Sequence, residues 1–378
     1  MTQIKLPAGW TFAALIAGLA LGWALSGGPV EAGAAAVAGP VGTVWLRALQ
    51  MTIVPLVAAL LVTGIAQMIA TARAGPVARR TLLTIFAVLA AGTVFAAFAM
   101  PALLAAFPIP GRAAAAQTAM LPLVVFFVAL AVAIARLPEP QRDLMLKLFE
   151  ALGNAMLTII GWVLWLAPVG VFALALGVGL ASGGGAFAAL AHYIVLVSSL
   201  GFVVLLAAYA VGSIGGRRSP VRFARAMLPA QAVAISTQSS LASMPSMLQS
   251  CRLLGVRETT ADFALPLAVA IFRATSPAMN LGVAIYVAYL TGVELTPAII
   301  AAGAAVALVT TMGSVSLPGT VSFVASIGPI AIAMGVPVEP LALLVAVEML
   351  PDVVRTVGNV TMDVAVTATV DRNTETSD

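Results

Sequence analysis

The chain has 378 residues, 62% of them hydrophobic and only 8% charged, where soluble domains carry about 45–50% and about 25%. At about 20 apolar residues per crossing, that share supplies about ten membrane-embedded helical segments and excludes a soluble enzyme, a nucleic-acid binder and a disordered scaffold. The net charge is +4, and the basic residues fall in short loops between apolar runs, so they read as topology signals with the lipid bilayer as partner.

In chain order, Lys5 precedes an Ala/Leu/Gly run from Trp10 to about Leu25, read as a retained first helix because a second run follows at once. Apolar runs bounded by Gly, Pro and charge fall at 10–27, 41–71, 80–106, 119–136, 150–178, 186–213, 259–290 and 337–370. Two further stretches, 221–252 and 296–335, are apolar at both ends with a polar, Pro-containing centre: Ser236-Thr237-Gln238-Ser239-Ser240 up to Pro245, and Thr310-Thr311-Met312-Gly313-Ser314 up to Pro318-Gly319-Thr320. A helix cannot run through such a centre in hydrocarbon unless the freed backbone is buried in protein or lines a wet cavity. Each is therefore expected to be a re-entrant hairpin of two half-helices.

The charge map supports this topology. With the N-terminus inside and both hairpins returning to their own side, Lys5, Arg73, Arg79, Arg80, Arg136, Arg142, Lys147, Arg217, Arg218, Arg222, Arg225, Arg252, Arg257 and Arg372 lie cytoplasmic and Arg112 lies outside. Both termini are then cytoplasmic, in a plasma (inner) membrane. Arg47, Arg273 and Arg355 fall within apolar runs, where a charge is costly and points to function. A single cysteine, Cys251, and a single histidine, His192, exclude a disulfide framework and a zinc or haem site built on such ligands. No phosphate-binding G-x-x-x-x-G-K-[ST] loop and no nucleophile and base pair is apparent, so neither an ATP engine nor an enzyme is expected, and no cofactor.

The C-terminal third repeats itself: Pro245 is followed 31 residues later by Ser276, and Pro318 is followed 34 residues later by Asp352. Pairing of this kind is the trace of inverted repeats in secondary transporters, with the site between them near the midplane. The chain is read as one membrane unit. In its last run Glu348, Asp352, Arg355, Thr356, Asn359 and Asp363 project onto one helix face about 100° wide at about 100° per residue. Arg355 offers a planar fork suited to a carboxylate, Asp352 can receive an ammonium, and Asn359 and Thr356 can bond a second carboxylate. Two polar hairpin tips would close on such a ligand. Three acids against one arginine leave about −2 on the stripe, to be met by cations, protons or another side chain.

The run Asp352-Val-Val-Arg355-Thr356-Val-Gly-Asn359-Val-Thr361-Met-Asp363 resembles the last-helix motif D-x-x-R-T-x-x-N-V-x-x-D of the dicarboxylate/amino acid:cation symporters, the family of archaeal aspartate transporters and animal excitatory amino-acid transporters. Ser236 to Ser240 with Pro245 resembles that family's serine-rich first hairpin, and Gly313-Ser314-Val-Ser316-Leu-Pro318-Gly319 its second. Met51-Thr-Ile-Val54-Pro55-Leu56 and Ala167-Pro168-Val-Gly170-Val-Phe172 resemble framework signatures of the second and fifth helices. The resemblance implies an all-α membrane protein of eight transmembrane helices and two re-entrant hairpins, assembled as a homotrimer and working by an elevator-type mechanism. A scaffold part (about 1–75 and 119–213) would stay fixed, and a transport part (about 76–118 and 214–378) would carry substrate. It further implies that Asp352 takes the substrate amine, Arg355 its side-chain carboxylate and Asn359 its main carboxylate. Ser239, Ser240, Ser276, Ser316, Pro318 and Thr356 would complete the substrate site, with Asp363 a cation ligand.

One departure bears on coupling. Where relatives carry N-M-D-G-T in the broken seventh helix, this chain has Phe272-Arg273-Ala274-Thr275-Ser276, so two sodium ligands are replaced by Phe272 and Ala274. The expectation is that Arg273 stands in as a tethered cation, paired first with Asp363 and second with Asp352. Coupling is then sodium-independent, exchange-like, or proton-linked through Glu348 or another stripe acid. In the second hairpin Thr320 and Val321 follow Gly319 in place of further glycines. The leading functional expectation is a secondary carrier of aspartate or glutamate. The alternatives are a carrier or exchanger of another carboxylate or dicarboxylate, and a transport-dead membrane sensor.

Overall fold

Proline placement divides this apolar chain into helices. The computed structural model describes residues 8–72, 76–109, 121–182, 185–313 and 319–375. Its helices are α1 (Ala8–Leu25), α2 (Glu31–Ala72), α3 (Pro76–Ala106), α4 (Leu121–Ala135), α5 (Glu139–Trp165), α6 (Ala167–Ser182) and α7 (Gly185–Ala210), the last continued by a π-helical turn (Val211–Gly215). Then follow α8 (Pro220–Thr237), α9 (Ser240–Leu254), α10 (Glu258–Ile271), α11 (Ser276–Thr291), α12 (Pro297–Gly313), α13 (Gly319–Ala333), α14 (Glu339–Val347) and α15 (Met349–Glu375). There is no strand among the described residues.

Large apolar side chains face outward while a small set of charges is enclosed, an arrangement suited to a bilayer. Trp10 and Met51 are 76% and 79% exposed, while Glu348, Asp352, Arg355 and Asp363 are buried. Among the described residues five helical stretches are long and apolar enough to cross a membrane: Glu31–Ala66, Ala78–Ala106, Glu139–Trp165, Gly185–Gly215 and Glu258–Thr291. At 42 residues, α2 is about 63 Å long, twice the hydrocarbon thickness. Arg47, expected inside an apolar run starting at residue 41, sits exposed on this longer helix.

The expected single helix over 150–178 is two. It ends at Trp165 and resumes at Ala167, because Pro168 has no N–H for the carbonyl of Leu164 and its ring crowds that group. The same geometry breaks the seventh run before Pro277 and the eighth before Pro351, dividing them into α10 and α11 and into α14 and α15. Both expected hairpins appear as helix pairs, α8 with α9 and α12 with α13. The first is antiparallel: the Ser250 hydroxyl donates to Ala226 O at 2.7 Å, and Arg222 Nη2 to Leu253 O at 3.0 Å. Its turn places Gln238 at φ 49°, the left-handed region, which costs a non-glycine residue about 1–2 kcal/mol.

The helices pack in two groups. In the first, α1 lies on α6, and α2 on α4, α5 and α6. Ideal Cβ atoms on Gly22 and Gly179 would lie 2.5 Å and 2.6 Å from carbonyl oxygens of the opposing helix, Leu176 O and Leu19 O, so only glycine lets α1 and α6 approach this closely. In the second group α15 is surrounded by α3, α7, α8, α9 and α10, while α11 lies against α3, α7, α12 and α13. Although residues 119–213 were expected in the scaffold part, α7 packs with this second group. His192 shows the connection: its Nε2 is 3.0 Å from Phe107 O and its Nδ1 3.2 Å from Tyr286 Oη on α11.

Candidate functional site

The break caused by Pro351 sets Glu348 at the junction of α14 and α15, and the helix resumes as Asp352 N donates to Glu348 O at 2.9 Å. Two turns further on, Arg355 turns its guanidinium back toward this junction. Its Nη2 donates to Glu348 Oε1 at 2.5 Å, its Nε lies 3.3 Å from Asp352 Oδ1, and its Nη1 donates to Asn280 Oδ1 at 2.6 Å. Tyr193 of α7 donates its hydroxyl to the other Glu348 oxygen at 3.2 Å. One guanidinium thus faces two carboxylates and an amide. All four residues that contact or support it are buried, and an ion pair there is strong only because its geometry is completed on every side.

The rest of the stripe extends along the same helix. Thr356 is buried beside Arg355. Asn359 uses its side-chain oxygen on the broken segment, accepting from Thr275 N at 2.9 Å and Thr275 Oγ1 at 2.8 Å. Thr275 Oγ1 is also 3.1 Å from Arg355 O. This leaves the Asn359 amide as the donor that a carboxylate would need. Gly358 lets the segment come this close, since a Cβ there would lie 2.5 Å from Thr275 Cγ2.

Asp363 is fully buried and neither carboxylate oxygen has a hydrogen-bond partner. The expected Arg273–Asp363 contact is not made. Arg273 is partly buried at the break, where its guanidinium acts electrostatically on both Asp352 and Asp363 without bonding to the latter. The extended backbone at Phe272 (φ −109°, ψ 99°) carries the side chain of residue 273 away from the helical path that spacing alone assumes. No group of three or more His, Cys, Asp or Glu residues that could hold a metal ion occurs among the described residues. Along the stripe and the break the charges are three acids, Glu348, Asp352 and Asp363, against two arginines, Arg273 and Arg355, while the further buried acid Asp371 is paired with Arg257.

Ser239 caps α9, its hydroxyl accepting from Ala242 N at 3.2 Å, and Ser240 begins that helix. Neither makes a side-chain contact with the stripe among the described bonds, whereas their neighbour Gln238 donates from Nε2 to the backbone of Met349, at the start of the last helix, at 3.4 Å. Ser276 is buried in the first turn of α11. Ser316 and Pro318 lie outside the described residues, as do Lys5, Arg73 and Arg112. Sequence reasoning passed over Tyr193, Thr275 and Asn280. Asn280 carried a signal, an amide in an otherwise apolar run one turn after Ser276. Tyr193 carried none, because nothing in one sequence aligns α7 with α15.

An all-helical, multi-pass membrane protein with paired half-helices and a buried acid–arginine cluster in its last helix defines a class, the secondary membrane transporters. The sodium:dicarboxylate symporter family profile matches residues 8–108 and 100–373, and the chain belongs to that family. Over 256 residues it is 29% identical to the neutral amino acid transporter A of Homo sapiens, a match covering 65% of this chain and 46% of that protein. Over 249 residues it is 29% identical to the neutral amino acid transporter B(0) of Bos taurus, again over 65% and 46%. It is 28% identical to that of Mus musculus, over 65% and 44%. The chain spans about half the length of the curated relatives it matches.

Proposed function

We propose that the chain is a secondary carrier of acidic amino acids, with coupling by protons in place of sodium. The observation that carries this reading is the buried Arg355 guanidinium held between Glu348 and Asp352. Glu348 occupies the place on Arg355 that a substrate's side-chain carboxylate takes; Asp352 receives the ammonium, and Asn359 with Thr356 the main carboxylate.

Charge bookkeeping supports a proton. Glu348, Asp352 and Asp363 with Arg273 and Arg355 sum to −1. An acidic amino acid brings another −1 into a buried site, and uncompensated charge there is expensive. A proton on Glu348 as it leaves Arg355 holds the total at −1. Arg273, acting on Asp352 and Asp363 from the break, supplies the standing positive charge, and Asp363 is the acid a cation would otherwise join. By this reading the moving part is the second packing group, α7 included, travelling against the group built on α2 in a homotrimer with cytoplasmic termini. Ser239, Ser240, Ser276, Ser316 and Pro318 close the substrate site.

Uptake into proteoliposomes tests this directly, with sodium and proton gradients imposed one at a time. Aspartate accumulation under an inward proton gradient in sodium-free buffer is expected. Accumulation that needs sodium at constant pH overturns the coupling.

One observation favours a second reading. The relatives are named neutral amino acid transporters, and Glu348 already satisfies Arg355 at 2.5 Å. If Glu348 stays in place, the arginine has no need of a substrate carboxylate and the site takes neutral amino acids. Uptake of alanine or serine that excess aspartate does not inhibit selects this reading.

A further inference from the structure

Six arginines surround the base of the α8–α9 hairpin: Arg217, Arg218, Arg222, Arg225, Arg252 and Arg257. Two are paired, Arg252 with Glu258 at 3.3 Å and Arg257 with Asp371 at 2.9 Å. The other four fall within nine residues and have no carboxylate partner among the described residues. Arg218 and Arg222 donate to the carbonyls of Gly255 and Leu253 at 3.3 Å and 3.0 Å, which fixes their position and leaves their charge unbalanced.

Where the first turns of α8 meet the end of α9 lies an open groove of about 420 Å³. Its walls are Ser219, Val221, Arg222, Arg225, Ala226 and Leu253. Two guanidiniums and a hydroxyl form one side, groups that bind phosphate oxygens through directed, charge-assisted bonds. Two of the groove's residues are exposed and apolar, Val221 at 59% and Leu253 at 50%, and Leu228, beyond it on α8, is 62% exposed. Residues 221, 225 and 228 share one face of α8 by helical spacing, so charge and apolar surface form a single strip. A soluble anion uses only the first of these surfaces. A ligand with an anionic head and hydrocarbon tails uses both, and the positive-inside count sets this end of the hairpin at the cytoplasmic headgroup region.

We propose that this groove is a binding site for an anionic phospholipid, the phosphate on Arg222 and Arg225 and the acyl chains along Val221, Leu228 and Leu253. A lipid seated there ties the base of the first hairpin to the leaflet. The site is separate from the buried stripe and independent of the substrate assigned to it.

The test uses the full chain in neutral detergent, with thermal unfolding and native mass spectrometry as readouts and phosphatidylglycerol, phosphatidylcholine and inorganic phosphate as probes. Phosphatidylglycerol is expected to raise the unfolding temperature and to stay bound in the spectrometer, with the other two doing neither. Arg222→Gln/Arg225→Gln should lower phosphatidylglycerol occupancy about thirtyfold, the attraction of two basic residues to an anionic surface. Arg252→Gln, whose charge Glu258 already balances, should leave it unchanged. Should the double variant not fold, Arg225→Gln alone, which breaks no described bond, should still lower occupancy about fivefold. An equal shift with phosphatidylcholine, an equal shift with inorganic phosphate, or full occupancy in the arginine variants overturns the proposal.

Discussion

Arg355 and Glu348 meet at 2.5 Å across two helical turns, on either side of the opening that Pro351 makes in the last membrane run. An unbroken helix would place Glu348 within the α15 ladder. The opening lets it sit at a junction, reached by Tyr193 from α7.

Glu348→Gln keeps the shape of the side chain and an acceptor for Tyr193, and removes the charge that pairs with Arg355. Under the proton-coupled reading, accumulation driven by a proton gradient is lost while exchange of internal for external aspartate continues. Under the neutral reading, the same variant begins to take up aspartate that the unmodified protein refuses. Paired uptake and counterflow assays separate the two.

Arg355→Ala leaves Glu348 and Asp352 buried without their cation, and breaking such a pair costs about 3–5 kcal/mol. Acidic substrates should be lost by more than about a hundredfold in affinity on the same scale, with lower thermal stability. Arg355→Lys should rescue stability better than binding, because an ammonium cannot reproduce the planar fork that meets Glu348, Asp352 and Asn280. Wild-type aspartate affinity in Arg355→Ala would remove the arginine from the substrate site.

Asp363 holds two buried oxygens without partners, and a buried carboxylate in that state is destabilising by several kcal/mol unless a charge nearby offsets it. Asp363→Asn should therefore raise the unfolding temperature, while Arg273→Met should lower it and weaken substrate binding in sodium-free buffer. The loss caused by Arg273→Met should be much smaller when it is combined with Asp363→Asn, leaving the double variant more stable than the sum of the two single effects. Additive effects in this double-mutant cycle would show that Arg273 and Asp363 do not act on one another.

Gly358→Ala drives a methyl group to 2.5 Å from Thr275 Cγ2, and overpacking of this kind costs about 1–3 kcal/mol. The displaced group is the one that bonds Asn359, so binding should weaken along with stability. Thr275→Ser removes the colliding methyl and keeps the hydroxyl on Asn359. The double variant should recover both properties, and its failure to do so would place the cost of the alanine elsewhere.

Composition and run length together established an all-helical membrane protein: 8% charge and 62% apolar residues place the chain in lipid, where only helices and closed barrels satisfy the backbone, and apolar runs of about 20 residues fit helices where a barrel strand needs about 9–11. The six-residue stripe on the last helix was equally legible: it depends only on helical spacing, and all six residues are buried. The two polar centres between apolar arms fall where paired helices meet, α8 with α9 and α12 with α13. What one sequence left undecided was which prolines interrupt a helix. Pro55, Pro101, Pro229, Pro245, Pro266 and Pro329 lie inside continuous helices, while Pro168, Pro277 and Pro351 follow breaks. The same missing N–H is tolerated where packing holds the helix straight and opens it where it does not. Those openings in turn aim the charges. The bent path at Phe272 keeps Arg273 from bonding Asp363, and the junction at Glu348 gives Arg355 a partner inside the protein. Tyr193 and Asn280 join from other helices, and contacts between segments far apart in the chain are decided by the packed structure, since local spacing holds no record of which helix will lie beside which.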